Sequence, residues 1–177
     1  MPHIAPLSHD AALGATAQTL DAVKSKLGMV PNLIATLAHA PAALNAYLAL
    51  SETLAAGRLT ARQREIVALA VAQENACRYC LSAHTMLGRK AGLNDEEIFR
   101  ARAGSAREAA DAAIARFAQH VVKMRGRLSP GDLEGLRRDG LEDALAIEVI
   151  AHVTLNLLTN YTNHIAGTKV DFPPVED

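Results

Sequence analysis

The chain has 177 residues, of which half are hydrophobic and only 3% aromatic, and its formal net charge is −1. This length fits a single domain, residues 1–177, with one core built mainly from Ala, Leu, Val and Ile. The near-neutral charge gives no indication of a nucleic-acid or anionic-membrane partner. The N-terminus lacks the pattern of a signal peptide, and no uninterrupted apolar stretch approaches the roughly 20 residues of a membrane span. We therefore expect a soluble, cytoplasmic protein.

Apolar residues recur at helical spacing along the chain, and capping signals, Gly and Pro mark the boundaries. The predicted helices cover residues 8–27, 32–38, 41–56, 61–73, 76–91, 130–138 and 141–165. Two more should follow Asn94 and Ser105, the second reaching about residue 124. The first helix has an apolar stripe of Leu13, Leu20, Val23 and Leu27, and polar residues predict an interruption of the last helix near 156–160. No strand-period alternation with hairpin turn signals occurs in the sequence. The predicted fold class is all-α.

Capping-box patterns support three of these helix starts, at Thr60-x-x-Gln63, Asn94-x-x-Glu97 and Ser105-x-x-Glu108. Glu65 followed by IVALAVAQ is similar to Glu148 followed by VIAHVTLN, with a one-residue shift. This similarity is compatible with an internal helical repeat. The tail VDFPPVED, with two prolines, should wrap over a surface of its own or of a neighbouring subunit.

The two cysteines of the chain, Cys77 and Cys80, are separated by two residues, and His84 follows four residues later. On a helix these positions follow the i, i+3, i+7 spacing and lie on one face. Two thiols at this spacing can form a disulfide or share a metal ion. In a cytoplasmic protein such a pair is more often catalytic or metal-binding than structural.

A thiol attacks only as the thiolate, which the positive end of a helix dipole stabilises if both cysteines occupy the first turn. His84 could accept the thiol proton directly or through a water. Cys80 attacking a peroxide would become a sulfenic acid that Cys77 resolves into a disulfide, and thiol–disulfide exchange is equally compatible with the spacing. Glu65 lies twelve residues before Cys77 and could fold back to orient His84, or it could simply be a charge in the first turn of its helix.

Other interpretations of these residues remain open. Zinc would need a fourth ligand besides Cys77, Cys80 and His84. That ligand would come from one of three histidines, His120, His152 or His164. The cysteines could also be an inert buried pair. His152 is expected to be a core or interface histidine, and His164 either bonds a neighbouring helix or lines the site.

The pattern Glu65-x11-Cys77-x-x-Cys80-x3-His84 resembles the AhpD-like alkylhydroperoxidases of the carboxymuconolactone decarboxylase superfamily. The core resemblance covers about residues 45–105. Residues 160–173, NYTNHIAGTKVDFP, look like the end of the peroxidase-related branch, which leaves about residues 166–177 as a C-terminal extension.

The resemblance implies an all-α, AhpD-like helical bundle that forms a homo-oligomer, often a trimer or hexamer. It implies a cysteine-dependent hydroperoxide reductase, an antioxidant peroxidase in which Cys80 is peroxidatic, Cys77 is resolving, and Glu65 and His84 form a proton relay. Reduction would come from a dithiol on a lipoyl- or thioredoxin-like protein, with no metal, flavin or haem cofactor. Comparison with thioredoxin-like motifs would instead make Cys77 the nucleophile, so the order of attack stays open.

The chain departs from the AhpD motif at Tyr79, where the family has a histidine. A tyrosine is a hydrogen-bond donor rather than a base at neutral pH, so the physiological reductant is left open. Tyr79 and His164 are possible substrate-pocket residues. The alternative functions are a redox-responsive or zinc-holding oligomeric module, and a carboxymuconolactone decarboxylase-like enzyme, whose chemistry uses no dithiol.

Overall fold

A computed structural model describes residues 1–175, and over these residues the chain is built of helices and turns without any strand. This confirms the all-α prediction. A short 3-10 turn (His9–Ala11) comes first. The helices are α1 (Gly14–Leu27), α2 (Asn32–Leu37), α3 (Pro41–Ala55), α4 (Ala61–Glu74), α5 (Arg78–Lys90), α6 (Asp95–Arg102), α7 (Ala109–Lys123), α8 (Pro130–Arg138) and α9 (Asp143–Ala166).

Helix α4 is the centre of the fold, with α5, α6, α7 and α9 packed around it. Seven consecutive residues, 66–72, are at most 2% exposed. A helix surrounded by neighbours needs no polar face, and its small Ala and Val side chains let the other helices approach closely. The predicted capping box fixes its start, because Thr60 Oγ1 accepts a hydrogen bond from Gln63 N–H while Gln63 Oε1 accepts one from Thr60 N–H.

The C-terminal tail returns over the chain's own surface. Val170, Phe172 and Val175 pack against the buried cluster that contains both cysteines. Asp171 Oδ2 accepts a hydrogen bond from the Asn32 backbone N–H at 2.7 Å, at the start of α2. Residues 176 and 177 of the predicted extension lie outside the described residues.

The starts of α1 and α7 were predicted too early. The first helix begins at Gly14 and not near residue 8, because Leu13 is extended and 80% exposed, so the apolar stripe contributes only Leu20 and Val23 to the core. The capping box predicted at Ser105 is wrong. Ser105 N–H donates to the Arg100 carbonyl in the turn that ends α6, with Gly104 at φ +68°, so the next helix starts after Glu108.

The predicted interruption of the last helix is also wrong, since α9 continues for 24 residues. Its polar residues are accommodated inside the protein: the Asn156 amide, for example, donates to the His152 carbonyl one turn earlier at 2.8 Å. Among residues 1–175, α9 is the helix whose length and hydropathy would suffice for a membrane span. In this fold it packs against α3, α4 and α7, as a core helix does.

Glu148, the counterpart of Glu65 in the suggested repeat, has different partners from it. Its carboxylate accepts hydrogen bonds from the backbone N–H groups of Arg58 and Leu59, at 2.9 and 2.8 Å. Burial opposes ionisation of Glu148, but these two N–H donors outweigh it and lower the pKa of the carboxyl group. Glu148 therefore fixes the turn between α3 and α4.

Candidate active site

The turn between α4 and α5 places both cysteines at the start of α5. Ala76 adopts φ +50°, Cys77 N–H donates back to the Ala72 carbonyl, and Cys77 then serves as the N-cap of α5. The helix thus begins at Arg78, two residues later than predicted, because the C-terminal turn of α4 uses residues 75–77. Cys77 lies just outside the first helical turn and Cys80 within it.

Cys77 and Cys80 form a disulfide, and each residue is only 2% exposed. The Cys77 Sγ also accepts the Cys80 backbone N–H at 3.4 Å, in the way that an N-cap side chain does. The dithiol is therefore placed where the free N–H groups and the helix dipole favour negative charge on sulfur.

Glu65 and His84 meet across the α4–α5 interface. The His84 Nδ1 and Glu65 Oε2 atoms are 2.8 Å apart, and both side chains are about one-fifth exposed. With Nδ1 bonded to the carboxylate, the neutral ring carries its free lone pair on Nε2. His84 lies one turn after Cys80, so the histidine of the pair is on the helix that carries Cys80.

Tyr47 of α3 is a neighbour of this pair that the sequence did not single out. Burial, together with the negative charge of Glu65, raises the pKa of its hydroxyl group. Tyr47 therefore remains a neutral hydrogen-bond donor throughout the physiological pH range.

Two asparagines of α9 contact the Cys80 sulfur of the disulfide. Asn160 Nδ2 lies 3.1 Å and Asn163 Nδ2 3.3 Å from the Cys80 Sγ. The Asn75 side-chain amide in the α4–α5 turn donates to Asn160 Oδ1 at 3.0 Å. The sequence prediction omitted both α9 asparagines, although two amides three residues apart on an apolar helix were a signal for a buried polar contact.

An open depression of about 290 Å³ lies beside Cys77. It is lined by residues of the α4–α5 turn, the end of α9 and the tail: Ala76, Cys77, Arg78, Tyr79, Asn163, His164, Gly167, Thr168 and Val170. Both residues named as possible pocket residues, Tyr79 and His164, are thus in its wall. Cys77 lines this depression, whereas Cys80 is not part of its wall.

The Tyr79 hydroxyl group is mainly occupied by contacts within the fold. It accepts the Leu33 backbone N–H at 3.2 Å, and its ring packs edge-on against Phe172 with centroids 5.5 Å apart. Burial raises the pKa of this hydroxyl group well above its usual range. Tyr79 therefore cannot replace the histidine of the AhpD motif as a base.

Among residues 1–175, the remaining histidines form no hydrogen bond with the disulfide or with the Glu65–His84 pair, although the negative charge of Glu65 acts on His152. His152 is 4% exposed, and burial lowers the pKa of its ring. Within residues 1–175, no three His, Cys, Asp or Glu side chains cluster as metal ligands.

These features define an all-α protein of the AhpD-like class, with a disulfide at a helix start and a Glu–His pair on the adjoining helices. The sequence model of the carboxymuconolactone decarboxylase family matches residues 41–123, and the chain belongs to this family.

Similar proteins agree with this assignment. The chain is 34% identical over 94 residues to an alkyl hydroperoxide reductase of Mycobacterium tuberculosis, covering 52% of this chain but only 27% of that protein. It is 35% identical over 79 residues to the uncharacterized protein 4 in the cox locus of Paracoccus denitrificans, covering 40% of this chain and 71% of that protein. A crystal structure from Ralstonia eutropha, described as an alkylhydroperoxidase AhpD core and an uncharacterized peroxidase-related protein, superposes with a TM-score of 0.83. It is 27% identical and covers 95% of this chain and 93% of that one.

Proposed function

We propose that this protein is a dithiol-dependent hydroperoxide reductase that cycles between a Cys77–Cys80 dithiol and disulfide. The observation that carries the proposal is the Glu65–His84 hydrogen bond of 2.8 Å, on the same two helices that position the cysteines. A carboxylate-bound imidazole one turn from a thiol is suited to accept its proton and to return a proton to a leaving group.

In the peroxide step, His84 takes the proton of Cys80, directly or through a water, and the Cys80 thiolate attacks the terminal oxygen of the hydroperoxide. The sulfur–oxygen bond forms, the oxygen–oxygen bond breaks, and the alkoxide leaves as an alcohol with the proton from His84. Cys77 then attacks the sulfenic sulfur, so that the disulfide forms and water leaves. Two electrons pass from the dithiol to the peroxide.

An external dithiol on a lipoyl- or thioredoxin-like protein would restore the reduced state by thiol–disulfide exchange. The open depression beside Cys77 is a suitable place for such a group to approach the disulfide. The reducing cytoplasm is the compartment in which we place this cycle.

The test is an anaerobic stopped-flow reaction of the reduced protein with hydrogen peroxide and cumene hydroperoxide, followed by mass spectrometry of the cysteines. We expect rapid formation of the Cys77–Cys80 disulfide and loss of the reaction in Cys80→Ser. Cys77→Ser should stop at a sulfenic acid that dimedone traps. Thiols that do not react, with stoichiometric zinc, would favour the metal-holding module. Lactone decarboxylation retained in both serine variants would favour the decarboxylase alternative.

We further propose that the protein forms a homo-oligomer through the outer face of α9. Five exposed apolar residues follow one stripe along this helix, at helical spacing: Ile147, Ile150, Leu158, Tyr161 and Ile165. Ile4 extends the apolar surface at the end of the stripe. An exposed apolar stripe of this kind favours packing against a second helix, here the same stripe of another copy.

A further inference from the structure

We infer that Asn160 and Asn163 are catalytic residues that hold the Cys80 sulfur as a thiolate whenever the Cys77–Cys80 bond is open. The inference deepens the proposed function and takes the identity of the reaction from it. Its geometric basis, two amide donors on one sulfur, is independent of the substrate.

The contacts converge on a single buried atom. Asn160 Nδ2 and Asn163 Nδ2 lie 3.1 and 3.3 Å from the Cys80 Sγ, and the three residues are at most 5% exposed. Because Asn160 and Asn163 are three residues apart on α9, both amides face the same side of the helix. The sulfur is thus enclosed by two N–H donors supplied from a distant part of the chain.

The orientation of the Asn160 amide is fixed by a third residue. Asn75 Nδ2 donates to Asn160 Oδ1 at 3.0 Å, so the NH₂ end of Asn160 must face the sulfur. Asn75 belongs to the turn that precedes Cys77, and the same segment therefore positions one cysteine and orients the donor to the other. Among residues 1–175, Asn163 Oδ1 has no hydrogen-bond partner. The side chain of Asn163 is therefore held by the contact of its Nδ2 with the Cys80 sulfur.

Two amide donors suit a charged sulfur better than a neutral one. A disulfide sulfur is a weak acceptor, whereas hydrogen bonds to a charged group are about twice as strong as those between neutral groups. A buried thiolate without donors would be strongly disfavoured by the loss of water. The donors therefore stabilise the open, reduced form more than the disulfide seen in this structure.

The exchange step follows from the different positions of the two cysteines, because Cys77 lines the open depression and Cys80 does not. A thiolate of the external dithiol attacks Cys77 Sγ, which lines the depression, and forms a mixed disulfide. The Cys77–Cys80 bond breaks, and its electron pair goes to the Cys80 Sγ between the two amides. The second thiolate of the reductant then attacks the sulfur that the reductant contributed to the mixed disulfide. The reductant's own disulfide forms, and Cys77 leaves as a thiolate and takes a proton. The held Cys80 thiolate is then the nucleophile for the next hydroperoxide.

The test measures the Cys80 thiol in the Cys77→Ser background by thiolate absorbance and by the pH dependence of iodoacetamide alkylation. We expect Asn160→Leu and Asn163→Leu each to raise the pKa of Cys80 by about one unit or more. With both cysteines present, the disulfide–dithiothreitol equilibrium should shift about tenfold toward the disulfide in each variant. Asn156→Leu is the matched control, because this buried asparagine of α9 bonds its own helix and not the sulfur.

A second measurement needs no asparagine variant. In protein labelled with ¹⁵N-asparagine and carrying Cys77→Ser, the side-chain NH₂ signals of Asn160 and Asn163 should titrate with Cys80, while that of Asn156 should not. Signals that do not respond, or an unchanged pKa in both leucine variants, would overturn the inference. A raised pKa in a protein that does not consume peroxide would overturn the proposed function and leave this inference standing.

Discussion

In the proposed mechanism, the Glu65–His84 pair acts on the Cys80 sulfur through charge as well as through position. An imidazole that gains a proton beside a carboxylate is stabilised by it, since the opposite charge favours the protonated form. Glu65 can therefore assist proton removal from Cys80 even though its own partner is His84, 2.8 Å away.

Replacing Glu65 with Gln tests this charge while keeping the shape of the side chain. We expect the rate constant for peroxide reduction at pH 7 to fall about 10²-fold, since a glutamine no longer stabilises the imidazolium. The exposed Glu74→Gln at the end of the same helix is the control, and it should react like the wild type. Stopped-flow rate constants over a range of pH make the comparison. An unchanged rate–pH profile in Glu65→Gln would rule out the relay.

At the level of single elements, patterns within one turn of helix could be read from the sequence. The capping boxes at Thr60 and Asn94 form as predicted because each depends on residues three apart. The turn at Ala76 could not be predicted, because an alanine adopts positive φ only where the surrounding helices fix it.

In the candidate site too, contacts between neighbouring segments could be predicted from the sequence and contacts between distant segments could not. Glu65, Cys77, Cys80 and His84 lie on two consecutive helices, so their spacing indicated that they could meet. Asn160 and Asn163 reach Cys80 from about 80 residues further along the chain, and only the packing of α9 brings them there. Local periodicity contains no information on such a contact.

The turn before the dithiol also gives a prediction about stability. Ala76 at φ +50° occupies the position after a helix where glycine is favoured. Ala76→Gly should therefore raise the free energy of unfolding by about 1 kcal/mol. The control is Ala46→Gly at an exposed position inside α3, where the same change should cost about 0.5–1 kcal/mol. Urea unfolding measures both, and destabilisation by Ala76→Gly would contradict the assigned backbone conformation.

For the whole molecule, the buried His152 links stability to pH. Burial lowers the pKa of its ring in the folded protein, so below about pH 6.5 the unfolded chain binds a proton that the folded chain does not. His152 thus contributes stability that is fully present above pH 6.5 and is lost as the pH falls toward the folded-state pKa.

The titration of this one group can change the free energy of unfolding by up to about 1.4 kcal/mol per pH unit. We expect His152→Gln to flatten the fall in the free energy of unfolding between pH 6.5 and 5, measured by urea unfolding at each pH. His39→Gln, at an exposed position, is the matched control. An identical slope in wild type and His152→Gln would show that the ring is not held neutral by burial.

The outer face of α9 is the surface through which we propose that two copies of the chain associate. Leu158, Tyr161 and Ile165 are 38, 52 and 69% exposed on a helix whose other side is deep in the core. If a second copy covers this stripe, Leu158→Lys places a charge in an apolar interface, where removing the ammonium group from water without a partner is costly. Sedimentation velocity should then show an oligomer for the wild type and the mass of a single chain for Leu158→Lys.

The control is Phe99→Lys, which changes an exposed apolar residue on α6 and should leave the oligomer intact. Because α9 also supplies Asn160 and Asn163, the interface and the sulfur contact lie on opposite faces of the same helix. Loss of the oligomer should therefore leave the pKa of Cys80 unchanged, provided that the helix keeps its position. A wild type that sediments as a single chain, or an oligomer that survives Leu158→Lys, would exclude this face as the interface.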